Sequence, residues 1–455
     1  MKKIMIRILL ALLALVVGYL AFNQIDAQPY QSKYGEPPAV APGAFEKTNG
    51  YYRLWTLTEP KNVDIETDAA ILPYRRLFDP AFDNERFIKE FDLDKYKKKV
   101  NYSTDLRKVL GVLKFGADWS AALDPFQGQL IQANEEYGFM LGRYEKLIAC
   151  DSFSDFSLVR IDTPIPNLLA WLHTAKLSIA LDILAAKNGN APEAAAHLLR
   201  HLHFATKVIP NSRTLITNLV AKAAARMSIE ALNNIMNQKD CPPQVFQLVY
   251  EQTATPLTTD EFGSRLSLIC EMSFPPDLNF SQESLYSRIK HKFLYQKNRT
   301  RNARIRFMEG IIQREQTPPS HWSNEPLEWR PLSAGAFWRL QNPVGKVLLD
   351  VANSVNFIAV VYKSYMLKTF HDMVHIAADL HRSYDPQRPV QAQLNDLPSY
   401  RQLLDPCSGK PYLWNEAKQV LYSIGIDRSD NQGETKNYQD WKGSDCALPI
   451  TTFVK

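Results

Sequence analysis

The part of the chain that decides its fold is residues 164–240, which read PIPNLLAWLHTAKLSIALDILAAKNGNAPEAAAHLLRHLHFATKVIPNSRTLITNLVAKAAARMSIEALNNIMNQKD. Apolar residues recur in this stretch at steps of three or four, the spacing that places side chains on one face of an α-helix. The first of three such runs contains Leu168, Leu172, Ala175, Ile179 and Ile183. The stretch therefore predicts three successive amphipathic helices.

The residues between the runs predict a tight hairpin. Gly189 suits the left-handed conformation that ends a helix, Asn190 can cap the next helix, and Pro192 is tolerated in a first turn. The second and third runs each end at proline, which cannot continue a helix. The alanine-rich face at 221–225 allows helices to approach closely. We expect an antiparallel bundle or a short helical stack.

Length and composition set the class of protein. A chain of 455 residues exceeds the usual size of one core, so two domains are expected. Apolar residues make up 45% and charged residues 22%, values typical of globular proteins and not of disordered ones. A net charge of +5 is too small to indicate a nucleic-acid partner. The predicted class is mainly α, with a small C-terminal α+β module.

The N-terminus predicts a membrane segment. Three basic residues precede the apolar run 8–22, which is the pattern of a secretory signal or a short anchor. Cleavage after Ala27 would put the bulky Ile25 where a small residue is usual, so an uncleaved anchor is favoured. The positive flank predicts that residues 1–24 hold the chain in a bacterial inner membrane, single-pass, with the bulk in the periplasm.

One internal segment is strongly basic. Between residues 285 and 307 there is no acidic residue, aromatic side chains are interspersed, and the basic residues are Arg288, Lys290, Lys292, Lys297, Arg299, Arg301, Arg304 and Arg306. Such a segment can be a solvated helix face, or it can bind anionic lipid or an acidic partner protein. Nucleic acid is not expected as the partner of an exported chain.

Two histidine pairs have the spacing of one helical turn. His371 and His375, with Asp372 beside the first, could hold zinc in a metal-dependent hydrolase, where Asp372 would stand in for the usual glutamate base. Ordinary hydrogen bonding on a helix face is the favoured interpretation, so zinc is not expected. The other histidines at this spacing lie in the central block: His197, His201 and His203.

The C-terminal fifty residues are the most specific stretch. Residues 405–412 read DPCSGKPY, 423–427 read SIGID, and Asp440-Trp441 follow. These motifs resemble the C-terminal end of the major pseudopilins of type II secretion. The resemblance implies a long helix, an Asp-Pro turn, a small antiparallel sheet and a calcium-binding loop. Asp427 and Asp430 would supply oxygen ligands, and Val420 to Ser423 would form a strand.

The chain departs from that family in three places. Asn437 replaces a late aspartate, which lowers the expected affinity for calcium. The N-terminal run lacks the family's processing site and its glutamate. Cys407 and Cys446 could close the module as a disulfide. The resemblance therefore covers at most the last 110 residues, while the whole chain looks like uncharacterised bacterial membrane-anchored proteins.

The cysteine count leaves the redox state open. Five cysteines allow two disulfides and one leftover thiol, for example Cys407 with Cys446, Cys241 with Cys270, and Cys150 unpaired. Plain buried thiols are the alternative.

These observations predict three parts: an anchor or signal at 1–24, a helical ectodomain at 25–345, and a long helix with a pseudopilin-like β module at 346–455. The expected function is binding or scaffolding by a membrane-tethered envelope protein, without catalysis. The alternatives are a metal-dependent hydrolase at His371, Asp372 and His375, and a basic adaptor for anionic lipid or an acidic partner.

Overall fold

The structure, a computed structural model, describes residues 2–40, 46–66, 102–114, 116–159, 165–273, 294–322, 342–353, 356–435 and 444–451. Within these residues the chain is mainly α with one small antiparallel sheet, as predicted. The first eight helices are α1 (Lys2–Phe22), α2 (Gly50–Thr56), α3 (Thr104–Leu110), α4 (Trp119–Leu123), α5 (Gln127–Ile148), α6 (Leu168–Ala185), α7 (Ala191–Val208) and α8 (Leu215–Met236).

The remaining helices are α9 (Pro243–Gln252), α10 (Thr259–Phe262), α11 (Arg265–Ser273), α12 (Lys297–Glu315), α13 (Pro343–Ala352), α14 (Phe357–Ser383), α15 (Val390–Asp396) and α16 (Pro398–Gln402). The strands are β1 (Leu413–Asn415), β2 (Val420–Ser423) and β3 (Cys446–Pro449).

The three central helices confirm the prediction from the sequence. Helix α7 packs on both α6 and α8, and α5 packs on α6 and also contacts α7. Gly189 has a φ of +97°, in the left-handed region, and Pro192 lies in the first turn of α7. Asn190 occupies the cap position but makes no side-chain cap bond, so the turn depends on Gly189.

The long helix predicted at the start of the segment 346–455 is two helices, α13 and α14. Asn356 begins α14 by accepting a hydrogen bond from the backbone N–H of Ala359 at 3.1 Å, the usual role of an asparagine N-cap. Most of α14 is buried against α8 and α9, and it also contacts β3. The sheet has the order β1-β2-β3, and Leu421 of β2 pairs with Trp414 and Leu448 on either side.

One hydrophobic core joins the two ends of the chain. Among the described residues, the main hydrophobic cluster contains both Tyr51 in α2 and Ile450 after β3. Tyr51, Tyr52 and Trp55 are buried in this core, and the Tyr51 hydroxyl lies 2.5 Å from that of Ser157. The boundary predicted at residue 346 falls inside α13.

Helix α1 differs from the others because its side chains are exposed. Residues 3–22 form a helix that is long and apolar enough to cross a membrane, with none of it buried in the body. The stretch formed by α6 and α7 is also long and apolar enough to cross a membrane, but it is largely buried in the core. Helix α1 is therefore the segment that could anchor the protein.

Candidate functional site

A cleft of about 670 Å³ opens at the C-terminal end of α8. Its walls come from five segments that are distant in the chain: residues 116–120, the turn at 186–189, residues 230–240, Phe370 of α14, and β3 with Thr451. The polar residues that line it include Asp118, Ser120, Lys187, Asn233, Asn234, Asn237 and Gln238. Because carboxamides both donate and accept hydrogen bonds, this lining suits a polar ligand better than an apolar one.

A buried ion pair lies at the base of the cleft. Nε of Arg226 donates to Oε1 of Glu230 at 2.9 Å, and the guanidinium stacks on Phe370 at 4.9 Å from the ring centroid. Burial raises the pKa of the Glu230 carboxyl to about 7, although Arg226 opposes this shift. Glu230 can therefore act as a hydrogen-bond donor as well as an acceptor near neutral pH.

Two carboxamides of the lining have unused hydrogen-bonding atoms. Nδ2 of Asn233 donates to the carbonyl of Pro449 at 2.8 Å. Its buried Oδ1, and the buried Nε2 of Gln238, have no hydrogen-bond partner among the residues that the structure describes. A buried polar atom without a partner is costly, so these two atoms mark where a ligand or water would bind.

The His371 motif lies on the buried part of α14. The carboxylate of Asp372 accepts from Lys368 at 2.5 Å and from the Tyr412 hydroxyl at 2.9 Å. His375 stacks on Tyr250, and all three members of the motif are buried. Within the described residues, this motif is not among the groups that could hold a metal ion. Lys368 lies one helical turn before Asp372, a spacing that can be read in the sequence, whereas the contact with Tyr412 spans 40 positions and depends on the fold.

The predicted calcium residues lie in the loop after β2. Oδ1 of Asp430 accepts from the backbone N–H of Gln432 at 2.7 Å, and Asp427 accepts from that of Ser429 at 3.1 Å. The sequence missed Asp445, which faces this loop: its Oδ2 accepts from the backbone N–H groups of Asn431 and Gly433 at 3.0 and 2.8 Å. Asn437 and Asp440 lie outside the described residues.

The turn at Asp405 has the form that its residues predict. The Asp405 carboxylate accepts from the backbone N–H groups of Cys407 and Ser408 and from the hydroxyl of Ser423. Ser423 is the register partner of Cys446 across the sheet. Cys407 and Cys446 therefore approach the same side chain, and in the structure both are buried, free thiols.

The basic segment is divided between structural and surface roles. Buried Arg304 pairs with Glu271 at 3.4 Å, and Arg301 pairs with Glu36 at 3.1 Å. The guanidinium of Arg306 covers the ring of Tyr30 at 5.2 Å. Lys297 and Arg299 lie in the first turn of α12, while Arg288, Lys290 and Lys292 lie outside the described residues.

Residues 23–36, which we call the juxtamembrane strap, run from the end of α1 along α12. The carboxylate of Asp26 accepts from the backbone N–H groups of Asn298 and Arg299 at 2.8 and 2.9 Å. Gln296, the N-cap residue of α12, makes no side-chain cap bond, so Asp26 caps this helix from the strap.

The strap is fastened again further along α12. Glu309 is only 7% exposed, and its carboxylate accepts from the Tyr30 hydroxyl, the Ser32 hydroxyl and the backbone N–H of Lys33 at 2.8 to 3.1 Å. Between these points, Oδ1 of Asn302 accepts from the backbone N–H of Tyr30 at 2.8 Å. The contacts extend over about 16 Å of helix. The partner of the strap could not be read from the sequence, because Tyr30 and Glu309 are 279 positions apart.

No protein-family model, no curated protein and no solved structure matches the chain. The class of the protein is therefore defined by its structure alone: a mainly α body with an N-terminal apolar helix.

Proposed function

We propose that the chain is a single-pass envelope protein that holds a ligand-binding cleft at a fixed orientation to the membrane, in a binding or scaffolding role without catalysis. The bulk of the chain would be periplasmic. The observation that carries the proposal is the juxtamembrane strap. A flexible tether needs no contacts with the body, whereas Asp26 and Glu309 lie at the two ends of a continuous set of bonds.

The orientation can be measured in the full chain placed in lipid nanodiscs. Spin labels at exposed Gln31 and Gln316 should give one narrow distance distribution in the wild type. Glu309→Ala should broaden it, because three hydrogen bonds to the strap are lost. Glu135→Ala, at an exposed glutamate on α5, is the matched control. A distribution that is broad in the wild type would contradict the proposal.

The lining of the cleft supports a ligand that carries hydroxyl and amide groups, such as a glycan of N-acetylated amino sugars. The unused Oδ1 of Asn233 and Nε2 of Gln238 offer one acceptor and one donor. An N-acetylated amino-sugar oligosaccharide is therefore the first probe. Asn233→Ala should weaken its binding roughly tenfold, since one buried hydrogen bond is lost.

The matched control for the cleft is Asn211→Ala, at an exposed asparagine on another face. It should bind the oligosaccharide as the wild type does. Calorimetry on the full chain in detergent makes both measurements. Equal affinity in Asn233→Ala and the wild type would remove the cleft from the proposal and leave the tether role to be tested alone.

We also propose that the C-terminal module is pseudopilin-like and binds calcium. Three features support it: the turn built on Asp405, the antiparallel strands β1 to β3, and a loop in which Asp427 and Asp430 accompany Gly425. Gly425 has a φ of +70°, and a side chain there would collide with the carbonyl of Ser444.

A second candidate function is contact with anionic lipid. The first turn of α12, with Lys297 and Arg299, lies beside the end of α1, because Nε2 of Gln296 donates to the carbonyl of Asn23 at 3.0 Å. Basic side chains at that position would meet lipid head groups. Lys297→Glu with Arg299→Glu should reduce the stability of the body in phosphatidylglycerol nanodiscs but not in phosphatidylcholine ones. Equal effects in both lipids would contradict this role.

A further inference from the structure

Four side chains from three helices meet between α5, α6 and α7. Glu145 comes from α5, Asp182 from α6, and His197 and His201 from α7. The ligand atoms of Glu145, His197 and His201 all lie within 4.8 Å of one another. This is the group with possible metal-ligand geometry in the part of the chain that the structure describes.

His197 is held in the orientation of a metal ligand. Its Nδ1 lies 2.7 and 2.9 Å from the two carboxylate oxygens of Asp182. Its Nε2 is thereby directed at Oε1 of Glu145, 2.7 Å away. Metal-binding histidines characteristically give their other ring nitrogen to a carboxylate, which fixes the tautomer and the ring direction. Asp182 supplies that carboxylate.

His201 lies one turn further along α7, and its ring centroid is 4.6 Å from that of His197. Its ring nitrogens lie 3.1 Å from the Tyr144 hydroxyl and 3.3 Å from that of Ser178. One nitrogen can turn to an ion while the other keeps a hydroxyl partner. His201 is buried, whereas 44% of the Glu145 side chain is exposed, so an ion would enter from the side of Glu145.

The charges around the cluster favour a cation. Asp182 and Glu145 both contribute carboxylates, and Arg200 approaches Glu145 at 3.7 Å from the more exposed side. Without a metal ion, His197 itself supplies the positive charge between the carboxylates. A bound ion would occupy the position between His197 and Glu145 and leave the bond to Asp182 intact.

We propose that Glu145, His197 and His201 bind a divalent transition-metal ion of the zinc class, oriented by Asp182. Two histidines and one glutamate are a known ligand set for zinc, with a fourth position open to water. The site lies apart from the strap and the cleft, so the test of this metal site is independent of the test of the proposed function. It also differs from the pair His371 and His375, to which no third ligand comes among the described residues.

The test is a cobalt(II) titration of the full chain in detergent, followed by visible absorption and repeated with zinc as competitor. We expect one ion per chain, with the intense absorption of four-coordinate cobalt. Glu145→Gln and His197→Gln should abolish the signal. Asp182→Asn should weaken binding by about 10- to 100-fold, because the ligand loses its orienting carboxylate.

The matched control is His203→Gln, at an exposed histidine on the same helix, which should leave binding unchanged. Glu145 is half exposed, so its variant tests the site even if a buried histidine variant does not fold. The absence of cobalt absorption in the wild type would overturn the proposal and leave the cluster as a metal-free ion pair. A signal that survives in Glu145→Gln and His197→Gln would place the ion elsewhere and overturn it as well.

Discussion

The ammonium nitrogen of Lys222 and the hydroxyl oxygen of Ser364 lie 2.6 Å apart in the centre of the core. Lys222 also donates to the Ser264 hydroxyl at 2.6 Å, and the Ser364 hydroxyl donates to Glu315 at 2.7 Å. Lys222 and Glu315 are 3% and 1% exposed. This network joins α8, α14 and α12 through buried polar groups, each of which depends on the others.

We expect Lys222→Met to lower the free energy of unfolding by about 3 to 5 kcal/mol, because it leaves the Glu315 carboxylate buried without its cation. Urea unfolding of the full chain in detergent measures the change. Lys108→Met, at a lysine whose side chain is 74% exposed, should stay within about 0.5 kcal/mol of the wild type. Equal effects of the two substitutions would contradict a structural role for the network.

The buried Glu230 should make stability depend on pH. Burial raises its pKa from 4.5 to about 7, so the folded state binds more protons than the unfolded state between these values. The stability from this group is complete below pH 4.5 and is lost as the pH rises through 7. Relative to Glu230→Gln, the wild type should lose up to about 3 kcal/mol across that window.

Urea unfolding at pH 5 and pH 7.5 tests this prediction. Glu135→Gln, at an exposed glutamate, should retain the pH dependence of the wild type. The same pH dependence in Glu230→Gln and the wild type would show that Arg226 keeps the carboxylate charged throughout the range.

Cys407 and Cys446 should form a disulfide when the chain folds in an oxidising compartment. Both are near Ser423: the Asp405 carboxylate accepts from the Ser423 hydroxyl and from the backbone N–H of Cys407, and Cys446 is the register partner of Ser423. Burial raises the pKa of the Cys446 thiol to about 11, so the thiols should react slowly once the chain has folded. The closed loop of about 40 residues should contribute about 4 kcal/mol. Peptide mapping without reductant detects the bond, and finding only free thiols would contradict it.

Calcium should raise the melting temperature of the full chain. Asp427, Asp430 and Asp445 face one loop, and the buried Oδ1 of Asp445 has no hydrogen-bond partner among the described residues. Calcium at 100 times its Kd would add about 2.7 kcal/mol. Asp430→Asn should reduce the shift, and Asp105→Asn, at an exposed aspartate, should not. If calcium has no effect on the wild type, protein contacts alone hold the loop.

The sequence by itself determined the parts of the protein that depend on neighbours along the chain. The periodic runs gave α6, α7 and α8, Gly189 fixed the hairpin, and the turn at Asp405 followed from its own residues. The break before α14 was missed, although Asn353 and Asn356 interrupt the apolar run there. The spacing of one helical turn identified both histidine pairs, but it could not show which pair is the better candidate for a metal site.

Only the tertiary structure decided which distant side chains meet. Glu145 reaches His197 across 52 positions of the chain, and Tyr30 reaches Glu309 across 279. The cleft likewise combines five segments, so none of its walls carries a recognisable pattern alone. Helix periodicity and turn chemistry are set by interactions over a few residues, whereas a site depends on how whole helices pack and which face each one turns inward.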